Sequence, residues 1–105
     1  MIYAQPGTEG SVVSFNARYE NYIGGEWVAP VKGNYFQNTT PVTGEAFCEI
    51  PRSTAEDIEL ALDAAHAAKD AWGRTSVTER SNILLKIADR IEANLEQLAV
   101  AETWD

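Results

Sequence analysis

The strongest pattern in the chain is a stripe of apolar residues at three- and four-residue steps: Ile83, Leu84, Ile87, Ala88, Ile91, Leu95, Leu98 and Ala99. Lys86, Arg90, Glu92 and Glu96 fall on the other faces, so the spacing predicts one long amphipathic helix. Ser76 and Glu79 stand at its start in a capping-box pattern, in which a hydroxyl accepts an orphan amide and a carboxylate reaches back to the cap. An earlier stripe, Ile58, Ala61, Leu62, Ala65, Ala68 and Trp72, predicts a second helix. Ser53 with Glu56 is its expected cap and Gly73 its expected end. The short link near Gly73, Arg74 and Thr75 makes an antiparallel helical pair the expected arrangement.

Upstream of the helices the period changes. YENYIGGEWV, from Tyr19 to Val28, is two short runs rich in aromatic and β-branched residues around Gly24-Gly25, which supply the positive φ angles of a tight hairpin. Tyr35 to Thr39, the turn signal Val42-Thr43-Gly44-Glu45 and the run Ala46 to Ile50, closed by Pro51, predict a strand, a turn and a strand. Residues 1–18 hold Pro6, Gly7, Gly10 and Ser11 with no sustained period and are expected to form an extended arm. The expected fold is therefore α+β: a β-hairpin and short strands followed by two long antiparallel helices.

A two-helix pair has one mutual interface, and the hairpin has little else to lean on. The segment reads as one layer of something larger, and the isolated 105 residues are expected to be marginally stable. Composition excludes several classes of function. The 45% apolar and 23% charged fractions are those of an ordinary soluble globular protein, and the net charge of −8 repels phosphate backbones and anionic lipid alike. Neither nucleic acid nor a membrane is an expected partner. A lone cysteine, Cys48, closes no intrachain disulfide, and the first dozen residues lack the regions of a secretory signal, so a cytoplasmic location is expected.

Candidate chemistry is sparse. Cys48 lies in a strand-like run and His66 on an alanine-rich helix; packing and surface roles suit them better than a nucleophile–base pair. One Cys and one His fall short of a zinc ligand set. Glu56-Asp57 sits at a helix N-terminus, where it complements the macrodipole. Gly24-Gly25 lacks the strand–GxGxxG–helix context of a dinucleotide fingerprint, and no GxxxxGK[ST] loop occurs.

The order and wording of the elements add what the residues alone do not. YIGGEWV, NTTPVTGE, a strand, a helix ending AAKDAW and then SVTERSNILLKIADRIEANLEQLAVAETWD resemble the N-terminal region of the aldehyde dehydrogenase superfamily, over Tyr19 to Asp105. Thr40-Pro41 stands where the family usually has Asn-Pro. The resemblance implies an enzyme, α/β in its complete form with a Rossmann-like cofactor domain, that oxidises an aldehyde to a carboxylic acid with NAD or NADP through a thiohemiacetal and a thioester on a catalytic Cys. It places residues 19–105 in an incomplete N-terminal part of the NAD(P)-binding domain. The catalytic Cys, the general-base Glu, the oxyanion-hole Asn and the cofactor's ribose ligands are all expected downstream of Asp105, so no catalytic or cofactor-binding residue is assigned here. The resemblance also implies a homodimer or homotetramer, and is nearest in wording to bacterial acetaldehyde and short-chain aliphatic aldehyde dehydrogenases. Asn38, Thr39 and Asp105 match positions at which many family members bind a monovalent cation, K⁺ or Na⁺, partly through main-chain carbonyls. Ending at Asp105 without a cap, Gly or polar tail, the chain is expected to be a truncated piece, inert by itself. The alternative is a free-standing helical module that docks its apolar stripe on a partner.

Overall fold

Gly24 and Gly25 adopt φ of 63° and 84°, the left-handed pair that closes a two-residue hairpin with the right twist, and they join β1 (Asn21–Ile23) to β2 (Glu26–Val28). The computed structural model describes residues 2–105. Tyr22 and Trp27 face each other across the strands with ring centroids 4.9 Å apart. A second antiparallel pair, β3 (Tyr35–Thr39) and β4 (Ala46–Pro51), is joined by the expected turn. Its register shifts between Asn38 and Thr39, so Phe47 is the extra residue of a β-bulge.

The arm is tied to this second sheet. The amide of Glu49 donates to Ala17 O at 2.8 Å and that of Tyr19 to Glu49 O at 2.9 Å, which lays residues 17–19 parallel along the outer edge of β4. Arg18 adds an ion pair to Glu49 at 2.7 Å and stacks on the Tyr35 ring 4.0 Å away. Further back, the amide of Gly7 donates to Val13 O at 3.1 Å, and Val13 is one of the few buried apolar side chains.

Three helices follow: α1 (Ala55–Arg74), α2 (Val77–Ala93) and α3 (Leu95–Trp104). The α+β class holds, with four corrections inside it. The cap of α1 is Thr54, whose amide donates to Asp57 Oδ2 at 2.8 Å. Ser53 is drawn away from the helix, its Oγ accepting from Asn21 Nδ2 at 2.8 Å. Gly73 lies inside the helix, which ends one residue later. The expected long second helix breaks at Asn94 (φ −121°, ψ 23°), whose side-chain amide donates to Arg90 O at 2.9 Å and competes with the helical ladder.

The fourth correction concerns packing: α1 and α2 do not lie side by side as an antiparallel pair. Their link, Thr75 and Ser76, is extended (ψ 135° and 152°) rather than a tight reverse turn. The β1–β2 turn meets α1 at one point, where a Cβ at Gly24 would lie at ordinary contact distance, 3.8 Å, from Ala64 Cβ.

The result is a flat layer. The radius of gyration is 17.5 Å within extents of 47 × 37 × 18 Å, against about 13 Å for a compact chain of this length. Among the described residues the buried positions are Val13, Pro30, Thr40, Cys48 and Asp57, all outside α2 and α3. Among the described residues no helix is long and apolar enough to cross a membrane.

Candidate functional site

The residues expected to hold a cation converge at the end of the β3–β4 hairpin. The turn after β3 is closed by the backbone of Thr40, whose amide donates to Glu45 O at 3.0 Å and whose carbonyl accepts from Gly44 N at 2.9 Å. Gly44, at φ 77°, supplies the left-handed turn position. The hydroxyl of Thr40 accepts from Val42 N at 3.2 Å and donates to the carbonyl of Trp104, fastening the last turn of α3 to the hairpin. Beside it Asn38 Nδ2 donates to Asp105 Oδ1 at 2.6 Å.

Asn38 and Asp105 are thus brought together across the length of the sequence. Thr39 follows Asn38 on the strand, and its exposed side chain points to the opposite face, so only its main chain is available at this corner. The corner therefore holds one carboxylate and one carboxamide beside a strand bulge. Among the described residues no group of three or more His, Cys, Asp or Glu side chains is placed to hold a metal ion.

Cys48 completes the corner from β4, directly opposite Asn38 in the register. It is buried, and burial pushes its thiol up; the Asn38 side chain opposes that shift and the charge of Asp105 adds to it. A protonated, enclosed thiol is a packing group, not a nucleophile. His66 lies apart on the exposed face of α1, where Nδ1 meets Leu62 O at 2.9 Å.

Gly24-Gly25 faces α1 within a β-hairpin, not a strand-to-helix turn, so it presents no row of amides at a helix N-terminus to a pyrophosphate.

Two structural anchors were not picked out by the sequence reading, although one of them carries a local signal. Asp57 is 3% exposed and holds two amides, Thr54 N and Val31 N, each at 2.8 Å, clamping the segment after β2 to the start of α1. Those amides hold its carboxyl below the usual carboxylate range. The local signal was the Thr-x-x-Asp spacing of residues 54 and 57. Thr40, 2% exposed, is the other, and its link to Trp104 has no local signal at all.

Comparison with known proteins adds three findings. The profile described as the aldehyde dehydrogenase family matches residues 27–105. The chain is 76% identical over 105 residues to the acetaldehyde dehydrogenase of Pseudomonas aeruginosa and 67% identical over 105 residues to a long-chain-aldehyde dehydrogenase of Acinetobacter, covering 100% of this chain in both cases. It spans about one-fifth of those relatives, 21% of each. The crystal structure of an NAD-dependent aldehyde dehydrogenase from Sinorhizobium meliloti superposes with a TM-score of 0.78 at 31% identity, over 97% of this chain and 21% of that one.

Proposed function

The chain belongs to the aldehyde dehydrogenase family, and we propose that it is the N-terminal part of an oxidoreductase that converts an aldehyde to a carboxylic acid with NAD or NADP. The observation that carries this reading is full-length similarity to enzymes of which the chain spans only a fifth. Residues 1–18 serve as an arm and 19–105 as an incomplete piece of the cofactor-binding domain. By itself the chain is inert, because its one cysteine is buried and protonated and its one histidine is remote from it. The identity of the aldehyde is set elsewhere, since relatives named for acetaldehyde and for long-chain aldehydes match this region alike. A homodimer or homotetramer is the proposed assembly of the complete enzyme.

The test is to read the coding sequence past codon 105 and to assay formation of reduced nicotinamide with acetaldehyde, for the chain and for any longer product. A longer, active product beside an inactive 105-residue chain is expected. Turnover by the chain alone, or a genuine stop at that codon, overturns the reading.

Within the same reading, Asn38, Thr39 and Asp105 contribute to a monovalent cation site. Support comes from the carboxylate and carboxamide meeting beside a strand bulge. Thermal midpoints of the longer protein in potassium and in a bulky organic cation should differ, and Asp105→Ala should erase the difference. Equal midpoints in the unsubstituted protein remove the site.

A further inference from the structure

We propose that residues 13–19 are a strap that fastens the helical layer to the β3–β4 hairpin and closes over Cys48, and that the strap opens as a unit while the hairpin stays folded. Its inward and outward positions alternate as in a strand. Val13 is 7% exposed and Phe15 half-buried, whereas Ser14 and Asn16 are exposed. Val13 sits with Ile83, Ile87 and Leu98 on the face of α2 and α3. Behind it the amide of Gly7, bonded to Val13 O at 3.1 Å, closes a loop that fixes where this plug enters. Two residues on, the Phe15 ring meets Phe47 of β4 edge to face, with centroids 4.9 Å apart. Residues 17–19 then run along β4 through the two bonds to Glu49. One seven-residue segment thus touches both layers.

Two observations make this segment a joint. Among the described residues, α2 makes no hydrogen bond to either sheet, and the bonds from α3 to the hairpin lie at Trp104 and Asp105, at its far end. The hold on the middle of the helical layer is therefore Val13. The second observation is a cavity of about 430 Å³ that Phe15 and Tyr19 of the strap share with Cys48 of β4 and with Asp105. Cys48 is 6% exposed with the strap in place, so a reagent reaches its Sγ only when a wall of this cavity moves. The strap is the weaker wall. It is held to β4 by two backbone bonds and a surface ion pair, whereas the opposite edge of β4 carries the whole β3 ladder, and local opening falls where such links are few.

The test reads the strap through Cys48, the one cysteine of the chain. Maleimide labelling of the 105-residue chain is followed by mass, together with hydrogen exchange of the Tyr19 and Glu49 amides. Val13→Ser removes the plug. Val12→Ser makes the same chemical change on the outward side, at a residue 38% exposed. Val13→Ser is expected to speed labelling by about tenfold and exchange of the two amides by a similar factor, because both follow one opening equilibrium. The remaining amides of the β3–β4 ladder should keep their protection, and Val12→Ser should change neither readout. Val13→Ala should give the same pattern at a smaller factor, and it stands in where the serine variant does not fold. Labelling that is unchanged in the Val13 variants overturns the strap, as does labelling of the unsubstituted chain at the rate of a free thiol. Exchange that rises over the whole sheet together with the labelling also overturns it, since Cys48 is then reached by global unfolding. Faster labelling in Thr40→Val with none in Val13→Ser makes the end of α3 the moving wall and overturns it as well.

Discussion

The hairpin region and the helical layer are held by different means. Around the sheets, cohesion comes from directed polar bonds: Asp57 gathers two amides, Thr40 joins hairpin to helix, and Glu49 meets Arg18 and the backbone of the arm. The links of Asp57 and Thr40 satisfy partly buried groups, whereas the Arg18–Glu49 pair lies at the surface. In α2 and α3 no residue is buried, and the large side chains Leu84, Leu85, Ile87 and Leu95 are between 49% and 65% exposed. One region is pinned by named polar links; the other leaves its regular apolar stripe open to solvent.

The sharpest way to break that contrast is Ile91→Glu. In the 105-residue chain the side chain is already half in water, so urea unfolding should shift by less than about 0.5 kcal/mol. In a longer polypeptide of the proposed kind, where the stripe packs against the rest of the domain, the same change should cost several kcal/mol, on the order of 3 or more, read as loss of soluble protein or of the melting transition. Equal effects in the two settings would erase the distinction between the regions.

Asp57→Asn addresses the other side. The folded-state carboxyl is held below its ordinary value of about 4 by the Thr54 and Val31 amides. It therefore contributes stability that is present above that value and lost as the pH falls through the lower folded value. The melting midpoint of the unsubstituted chain should fall between about pH 5 and about pH 2 more steeply than that of Asp57→Asn, while at neutral pH the variant should melt roughly 5 °C lower. Parallel pH profiles would show that the clamp is not electrostatic.

Thr40→Val tests the other polar anchor, with an effect of similar size. It keeps the shape and removes the hydroxyl, leaving the Val42 amide and the Trp104 carbonyl without that partner, at about 1–3 kcal/mol by urea unfolding. Loss of signal from α3 before that of the sheets would sharpen the comparison further, because it would show the helix coming away from a hairpin that stays intact.

The sequence is most readable where structure is local. The Gly24-Gly25 hairpin, the turn at Gly44 and the Ser76 cap follow from residues close together in the chain, and Glu79 N donates to Ser76 Oγ at 3.1 Å as the spacing requires. The buried role of Cys48 was legible for a similar reason, as the residue stands in a strand-like run without a partner for chemistry. It is least readable where a distant group wins. Ser53 would have capped α1, but Asn21, 32 positions away, takes its hydroxyl. Asn94 looked like one more position of a continuous helix until its side chain competed for the Arg90 carbonyl. The apolar stripe was correctly found, yet periodicity says which face wants cover and is silent on what covers it. That is why the expected helical pair gave way to an open layer. At the candidate cation corner, the meeting of Asn38 with Asp105 carries no local signal in either segment and entered only through family resemblance.

The bonds that join the hairpin turn to the end of α3 also order events in time. Thr40 and Trp104 are 64 positions apart, and Asn38 and Asp105 are 67. Closing so long a loop from an unfolded chain costs about 2 kcal/mol more in chain entropy than closing the turn from Thr40 to Glu45, at about 0.6 kcal/mol per doubling. Hairpins close in microseconds from local contacts, whereas contacts of high sequence separation form late. The corner is therefore the final latch of the folding reaction, shut only after both hairpins and α1 have formed and shortened the path between its halves.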